Sequence, residues 1–196
     1  MFTISPCAAG CGRPAISGSH ICFLHQANQE QEIKRIVAFI AKNKTIKDIN
    51  VTGMHFTDVD FSNRHFYGCN FREVSFSGCT FTGALMRMCF FDFAKFTDCD
   101  FSKSDLQFLS FAGAQISGCS FKGSELVHAN FLGAGISGTS FSNSNLYNSR
   151  FINADLQDSD FFDCNLKRTY FVNASQKGLN FKSSNTAEAV FELEEL

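Results

Sequence analysis

Large apolar side chains recur at every fifth position from Ile46 to Phe191, with no insertion or deletion in between. This register has 30 positions: Phe fills 18 of them, other apolar residues fill 10, and Gln176 and Thr186 are the two exceptions. A period of five fits neither an α-helix, with about 3.6 residues per turn, nor a flat strand, with a period of about two. The pattern therefore predicts a chain that turns a corner every five residues.

Two further columns of the repeat support this geometry. Two positions before each large apolar residue the side chain is mostly small, as at Ala84 and Ser104, and six of the nine cysteines fall there. Two positions after it, Gly, Asn and Asp are enriched, and these residues tolerate the positive φ at the third position of a type II turn. We therefore expect each segment to bury one large and one small side chain, with these cysteines as small core residues.

The repeat resembles that of the pentapeptide-repeat family, whose unit reads A(D/N)LXX, and Ala154-Asp155-Leu156 and Cys164-Asn165-Leu166 match it directly. The resemblance implies an all-β solenoid over residues 46–191. It would be a right-handed quadrilateral parallel β-helix of about seven coils, with four repeats per coil, and its origin would be bacterial. Residues 20 apart would then lie above one another, so that Phe81 and Phe101 stack in the core.

Residues 1–25 contain the other three cysteines, in the pattern C-x3-C-x10-C-x2-H formed by Cys7, Cys11, Cys22 and His25. Thiolate and imidazole groups in two close pairs suit tetrahedral Zn²⁺, because each pair can clamp one edge of the tetrahedron. The segment looks like a short zinc-ribbon-like knuckle. Four protein ligands leave no open coordination position, so we predict a structural rather than a catalytic Zn²⁺ site.

Two alternatives exist for this segment. His20 is a rival ligand, although it fits the pairing of donors less well than His25 does. Disulfide bonding is the other alternative, and it is weaker, because the remaining cysteines occupy core positions typical of a reduced protein and indicate the cytoplasm. So short a module has too little core to fold without a staple, which favours metal binding.

Residues 26–45 show the helical spacing i, i+3, i+4 and i+7, occupied by Ile33, Ile36, Val37 and Ile40. An open end of a β-helix exposes unpaired strand edges and apolar core, which invite aggregation. We therefore predict a helix that caps the first coil, together with the zinc knuckle. The C-terminal tail, residues 192–196, is expected to cap the far end or to mediate dimerisation.

Large apolar side chains also occur at positions that should point outward from two adjacent faces. Such groups are costly on a monomer and often mark an interface, so we predict a protein partner or a homodimer, through these faces or a rod end. The alternative is that another part of the chain covers them. The predicted interaction surface contains Tyr67, Leu85, Arg87, Met88, Phe90, Phe93, Phe108, Val127, His128, Leu132, Ile152, Tyr170 and Val172.

Composition narrows the function classes. The chain of 196 residues has a net charge of −2, which argues against a general nucleic-acid binder, and no apolar run is long enough to span a membrane. Motifs typical of enzymes are lacking, so we expect a non-enzymatic interaction or scaffold module. One alternative, suggested by the family resemblance, is a DNA mimic that modulates gyrase or another topoisomerase. A second is a nucleic-acid role for the zinc knuckle and the basic N-terminal segment.

Overall fold

The computed structural model describes residues 5–192. One α-helix, α1 (Gln29–Lys42), precedes a series of three-residue strands, and short 3-10 turns lie at Phe23–His25 and Thr186–Glu188. The strands are β1 (Thr45–Lys47), β2 (His55–Thr57), β3 (His65–Tyr67), β4 (Ser75–Ser77), β5 (Leu85–Arg87), β6 (Lys95–Thr97), β7 (Gln115–Ser117), β8 (Gly135–Ser137), β9 (Asp155–Gln157) and β10 (Ser175–Lys177).

The strands pair in parallel at a constant spacing of 20 residues. One sheet has the order β1-β3-β5 and the other the order β10-β9-β8-β7-β6-β4-β2. Isolated parallel bridges with the same spacing, such as Asn70↔Phe90 and Thr80↔Asp100, connect the other two sides of the coil. A coil therefore consists of four five-residue sides, and the chain forms a parallel β-solenoid of about seven coils, as the sequence predicted.

The solenoid core consists of stacked columns of side chains from successive coils. Phe81 and Phe101 stack with ring centroids 4.4 Å apart and an interplanar angle of 1°. The column of Phe91, Phe111 and Phe131 shows the same arrangement, with centroid distances of 5.2 and 4.9 Å. Since each coil buries its apolar side chains against its neighbours alone, the stability of the rod is carried by nearest-neighbour contacts.

The N-terminal segment packs on the first coil and shares its core. Helix α1 buries Ile36 and Ile40 in the same cluster as the first large apolar residue of the repeat, Ile46. The helix lies within the predicted segment 26–45 but is shorter, because the side chain of Asn28 caps its N-terminus by accepting from the backbone N–H of Gln31 at 3.0 Å. The helix ends at Lys42, after which Asn43 is extended and the chain enters β1.

The last coil is less well packed than the others. Gln176, one of the two polar exceptions in the register, is exposed within β10, and Phe181 and Phe191 are half-buried. The core therefore thins toward the C-terminal end. Of the tail predicted at 192–196, all but Glu192 lie outside the described residues, as do the first four residues of the predicted knuckle. Within the described part of the chain, no helix is both long and apolar enough to cross a membrane.

Candidate functional site

Four potential metal ligands come together beside the first coil. The donor atoms of Cys7, Cys11, Cys22 and His25 all lie within 4.8 Å of one another. Cys7 and Cys11 flank a turn closed by a hydrogen bond from the Gly10 N–H to the Cys7 carbonyl, and the 3-10 turn Phe23–His25 brings the other two donors together. These are the four residues that the sequence pattern predicted as ligands, and His20 is exposed outside the cluster.

The spacing of the donors matches the edges of a tetrahedral metal site. Metal distances of about 2.3 Å to sulfur and about 2.0 Å to nitrogen give tetrahedron edges of about 3.8 Å between sulfurs and about 3.5 Å from sulfur to nitrogen. The Cys11 and Cys22 Sγ atoms are 3.7 Å apart. The Sγ atoms of Cys22 and Cys7 lie 3.5 and 3.3 Å from His25 Nδ1. The cluster could therefore hold a metal ion.

The surroundings of the two buried thiols differ. The backbone N–H of Cys22 donates to Cys7 Sγ at 3.2 Å, and this bond, with the contact to His25, lowers the pKa of Cys7 to about 6. Burial instead raises the pKa of Cys22. A thiolate is the form that binds metal, so the Cys7 side is prepared for binding, whereas Cys22 requires a cation to stabilise its charge.

The Cys/His cluster formed by these four residues is joined to the solenoid by hydrogen bonds and by one ring contact. The N–H of Ser17 donates to the Asn50 carbonyl at 2.8 Å, and the Asn50 side-chain amide donates to the Ala15 carbonyl at 2.6 Å. Between the two C-terminal ligands, the ring of Phe23 packs edge-on against His55 with centroids 5.6 Å apart. A change at the cluster is therefore transmitted to the first coil.

A column of bulky side chains forms the second feature of the surface. Met88, Phe108 and His128 are 20 residues apart and occupy the left-handed position of the corner turn, with φ of 52°, 60° and 59°. Met88 and Phe108 are 64% and 59% exposed. The rings of Phe108 and His128 stack with centroids 4.8 Å apart. We call Met88, Phe108 and His128 the apolar corner.

The neighbouring corner of the coil carries one more bulky residue. Phe93 is 67% exposed and also has a positive φ, 58°. Its ring extends over Gly113 in the next coil, where an added Cβ would lie 2.6 Å from the ring. Leu132 is 44% exposed on the face between the two corners. The apolar corner, Phe93 and Leu132 therefore form one exposed apolar region on adjacent sides of the rod.

Left-handed backbone strain at these corners leads to a stability prediction. A side chain with a Cβ in this conformation costs roughly 1 kcal/mol relative to glycine. Replacing Met88 by glycine should therefore raise the free energy of unfolding by about 0.5–1 kcal/mol, since the exposed side chain buries little. Urea denaturation followed by circular dichroism measures this change. Leu85→Gly in β5 is the matched control and should lower stability, because glycine is unfavourable in a strand; equal losses in both variants would contradict the strain argument.

The remaining residues of the predicted surface are less accessible. Seven are half-buried: Tyr67, Leu85, Arg87, Phe90, Val127, Ile152 and Tyr170. The exposure predicted for Val172 is wrong, because this residue is only 7% exposed. The parallel bridge Tyr170↔Val190 places the last segment of the chain next to the strand position that precedes Val172, which accounts for its low exposure.

Several residues that sequence reasoning did not single out shape this surface. Arg72 lies over the ring of Phe90, 4.9 Å from its centroid, and pairs with Asp92 at 2.9 Å. Arg64 occupies a position that is small in later coils, and its guanidinium donates to the carbonyl of Asn43 just after α1. The sequence did contain a signal for this contact, because Arg64 interrupts a column of small residues. A long cationic side chain at such an inward position needs a hydrogen-bond acceptor, which the end of the rod provides.

Charged side chains do not form a continuous acidic stripe along the described coils. Acids follow one another in the same column at Asp105 and Glu125, and Asp105 is paired with Arg87. Toward the N-terminus, the cations of the segment before the repeat are largely paired, with Arg13 bound to Glu73 at 3.1 Å. Lys34 and Arg35 are likewise paired within α1. This pattern favours neither the DNA-mimic alternative nor a nucleic-acid role for the knuckle.

The six cysteines of the repeat are all buried and free. In the column of Cys79, Cys99 and Cys119, hydrogen bonding to Cys119, together with burial, raises the pKa of Cys99 to about 12. Hydrogen bonding to Cys99 and burial also raise the pKa of Cys79. These two thiols therefore remain protonated at neutral pH, as expected for small core residues.

Comparison with known proteins agrees with this architecture. The chain matches the family described as "Pentapeptide repeat region" over residues 49–131 and 114–191. These matches cover most of the chain, so the protein belongs to the pentapeptide repeat family. Members of this family are generally structural or interaction modules without enzymatic activity. No curated protein matches the chain.

Solved structures similar to this chain are also pentapeptide repeat proteins. One, from the Arabidopsis thaliana thylakoid lumen, is 28% identical over 43% of this chain and 59% of its own, with a TM-score of 0.42. QnrB1, a plasmid-mediated fluoroquinolone resistance protein, is 21% identical over 76% of this chain and 89% of its own, with a TM-score of 0.36. HetL from Nostoc sp. strain PCC 7120, involved in heterocyst differentiation regulation, is 14% identical over 85% and 98%, with a TM-score of 0.21. The family assignment rests on the family match over residues 49–131 and 114–191, and not on the similarity to these solved structures.

Proposed function

We propose that this protein is a non-enzymatic interaction module that presents the apolar corner to a protein partner. The main support for this proposal is that Met88 and Phe108 are exposed and also adopt a strained left-handed backbone conformation. Most of the other corners hold Gly, Asn or Asp, which adopt this conformation at lower cost, and the remaining exceptions apart from Phe93 and His128 are the polar residues Glu73, Lys103, Arg168 and Ser183. Bulky apolar residues at strained, exposed positions lower stability and solubility, so their presence is explained by a contact that they make.

The solenoid suits this role because it holds the corner rigidly. The main chain on either side of Phe108 is fixed by parallel pairing, with its own N–H donating to the Val127 carbonyl at 3.0 Å. His128 is held by its stack on Phe108 and by a contact between its Nδ1 and the Asn148 amide at 2.6 Å. A surface ordered before binding loses less conformational entropy when a partner is bound.

We propose that the Cys/His cluster forms part of a structural cap of this module. We infer that Cys7, Cys11, Cys22 and His25 bind Zn²⁺, because three sulfur donors and one imidazole at tetrahedral spacing are a common structural zinc set. Zinc would supply charge neutralisation for the thiolates and a cross-link between the two turns. The protein would act in the cytoplasm, where thiols stay reduced, since all nine cysteines are free and eight are buried.

The interaction role is tested with the double variant Met88→Ser/Phe108→Ser. Immobilised native protein and variant are exposed to lysate of cells that express the protein, and bound proteins are quantified by mass spectrometry. We expect at least one protein bound by the native chain to be lost with the variant, at an unchanged melting temperature. Lys95→Ser/Thr97→Ser, on the polar side at β6, is the control and should retain it. Identical sets of bound proteins for all three would contradict the proposal.

Self-association is tested with the same variants. Light scattering after size exclusion gives the mass of each in solution. If a second copy occupies the apolar corner, the native protein is a dimer and Met88→Ser/Phe108→Ser is a monomer. In that case the partner proposed here is the protein itself.

A further inference from the structure

The nine cysteines differ in their exposure to solvent. Eight are buried, and Cys11 is the exposed one. It lies between Gly10 and Gly12, which have φ of 72° and 76°, and an added Cβ on either glycine would meet no atom within 4 Å. The loop around Cys11 is therefore open to solvent and flanked by two residues of high conformational freedom. A small oxidant in solution can reach this sulfur and not the sulfurs of the core.

The exposed sulfur has a buried thiol beside it. Cys11 Sγ is 3.7 Å from Cys22 Sγ, and Cys22 is buried on the inner side of the cluster. The third thiol, Cys7, is engaged by the Cys22 N–H at 3.2 Å and by His25 Nδ1 at 3.3 Å. An accessible sulfur next to a second, protected one is the arrangement by which thiols form reversible disulfides. Because the Cys7 sulfur already accepts from the Cys22 N–H, Cys22 is favoured over Cys7 as the partner of Cys11.

We propose that Cys11 is a site of oxidation by peroxides and that Cys22 resolves it to a Cys11–Cys22 disulfide, which ends metal binding. The inference rests on the metal-binding role proposed above. Hydrogen peroxide transfers one oxygen to Cys11 Sγ as its O–O bond breaks, which gives a sulfenic acid and releases one water. Cys22 Sγ then attacks the Cys11 sulfur. The S–S bond forms, the S–O bond breaks, and the departing hydroxide takes up a proton from solvent to give a second water, because a metal-bound Cys22 thiolate carries no proton of its own.

The disulfide withdraws two of the four donors. Cys7 and His25 that remain are too few to hold a tetrahedral structural ion, so the cluster cannot stay loaded. The turn between Cys22 and His25 also carries Phe23, whose ring packs against His55 in β2. Oxidation at the solvent side of the cluster would thus alter the contact between the cap and the first coil. A thiol reductant restores both sulfurs, so the modification is reversible.

The test uses the full chain loaded with zinc and treated with hydrogen peroxide. Zinc release is followed with a chromogenic chelator, and disulfides are located by peptide mapping without reduction. We expect zinc release to accompany a Cys11–Cys22 cross-link, and dithiothreitol to reverse both. In Cys22→Ser, dimedone should trap a sulfenic acid on Cys11. Cys164→Ser is the matched control, because serine occupies the same inward column at Ser144 and Ser184, and it should behave as the native chain does.

Several results would overturn the inference. A Cys7–Cys11 or Cys7–Cys22 disulfide would assign the wrong resolving thiol, and a cross-link between core cysteines would contradict the argument from exposure. Zinc content before oxidation is measured separately. A chain that binds no zinc but forms the Cys11–Cys22 disulfide would refute the metal-binding role and leave the oxidation site standing. A zinc-loaded chain that forms no disulfide would refute the oxidation site and leave the metal-binding role standing.

Discussion

Replacing Phe111 by alanine should lower the free energy of unfolding by about 4 kcal/mol, within the range of about 3–5 kcal/mol seen when a buried Phe is truncated. The side chain is fully buried in the middle of the rod and stacks on Phe91 and Phe131, with centroid distances of 5.2 and 4.9 Å. It also meets Phe121 edge-on at 6.0 Å. Its removal leaves a cavity at the junction of three coils, which short strands linked by parallel pairing cannot collapse to fill.

Urea denaturation followed by far-ultraviolet circular dichroism measures this loss. Phe108→Ala is the control, because it removes the same group from a side chain that is 59% exposed. We expect the control to change the free energy of unfolding by less than about 1 kcal/mol, the usual size of a surface effect. Phe111→Leu should fall between the two, since leucine fills part of the space, as at Leu106 in the same core. A loss in Phe108→Ala as large as in Phe111→Ala would place Phe108 in the core and remove the basis of the apolar corner.

The five-residue register made the solenoid predictable because each of its positions has a single structural role. A strict period fixes which side chains face inward, and the family resemblance supplied the 20-residue coil that places Phe81 under Phe101. Val172 shows where this reasoning ends. The period gives it an outward position, and the 20-residue coil also implies the pairing Tyr170↔Val190, but neither determines how far the side chain of Val172 is covered there.

Ion pairs between residues of neighbouring coils could not be predicted from the sequence either. Arg87 pairs with Asp105 and Arg72 with Asp92 because side chains 18 or 20 residues apart become neighbours in the coil. The sequence places these groups at adjacent positions, but rotamers decide whether they form an ion pair. The Cys/His cluster was more predictable, because the spacing of Cys7, Cys11, Cys22 and His25 is local to two turns. Its attachment to the solenoid through Asn50 had no signal in the sequence.

Loss of the zinc ion proposed for the Cys/His cluster should unfold the N-terminal cap and leave most of the solenoid intact. Structural zinc contributes about 10–16 kcal/mol of apparent binding free energy in zinc-finger peptides, so a chain without it loses most of what folds so small a module. The variant Cys22→Ser removes one sulfur donor and leaves the main-chain hydrogen bonds of the turn in place. We expect this variant to contain no zinc by mass spectrometry and to lose amide protection over residues 5–25.

Hydrogen exchange measured by mass spectrometry locates the effect along the chain. Because a solenoid is stabilised by nearest-neighbour contacts, the loss should extend into the first coil, where Asn50 and His55 contact the cap, and should fade beyond it. Protection at Phe111 and its neighbours should be unchanged. Cys164→Ser, which keeps all four ligands, is the control for a general effect of cysteine replacement. Unchanged protection over residues 5–25 in a zinc-free chain would show that packing of the cap on α1 and the first coils holds it without the metal. The metal would then be dispensable for closing this end of the rod.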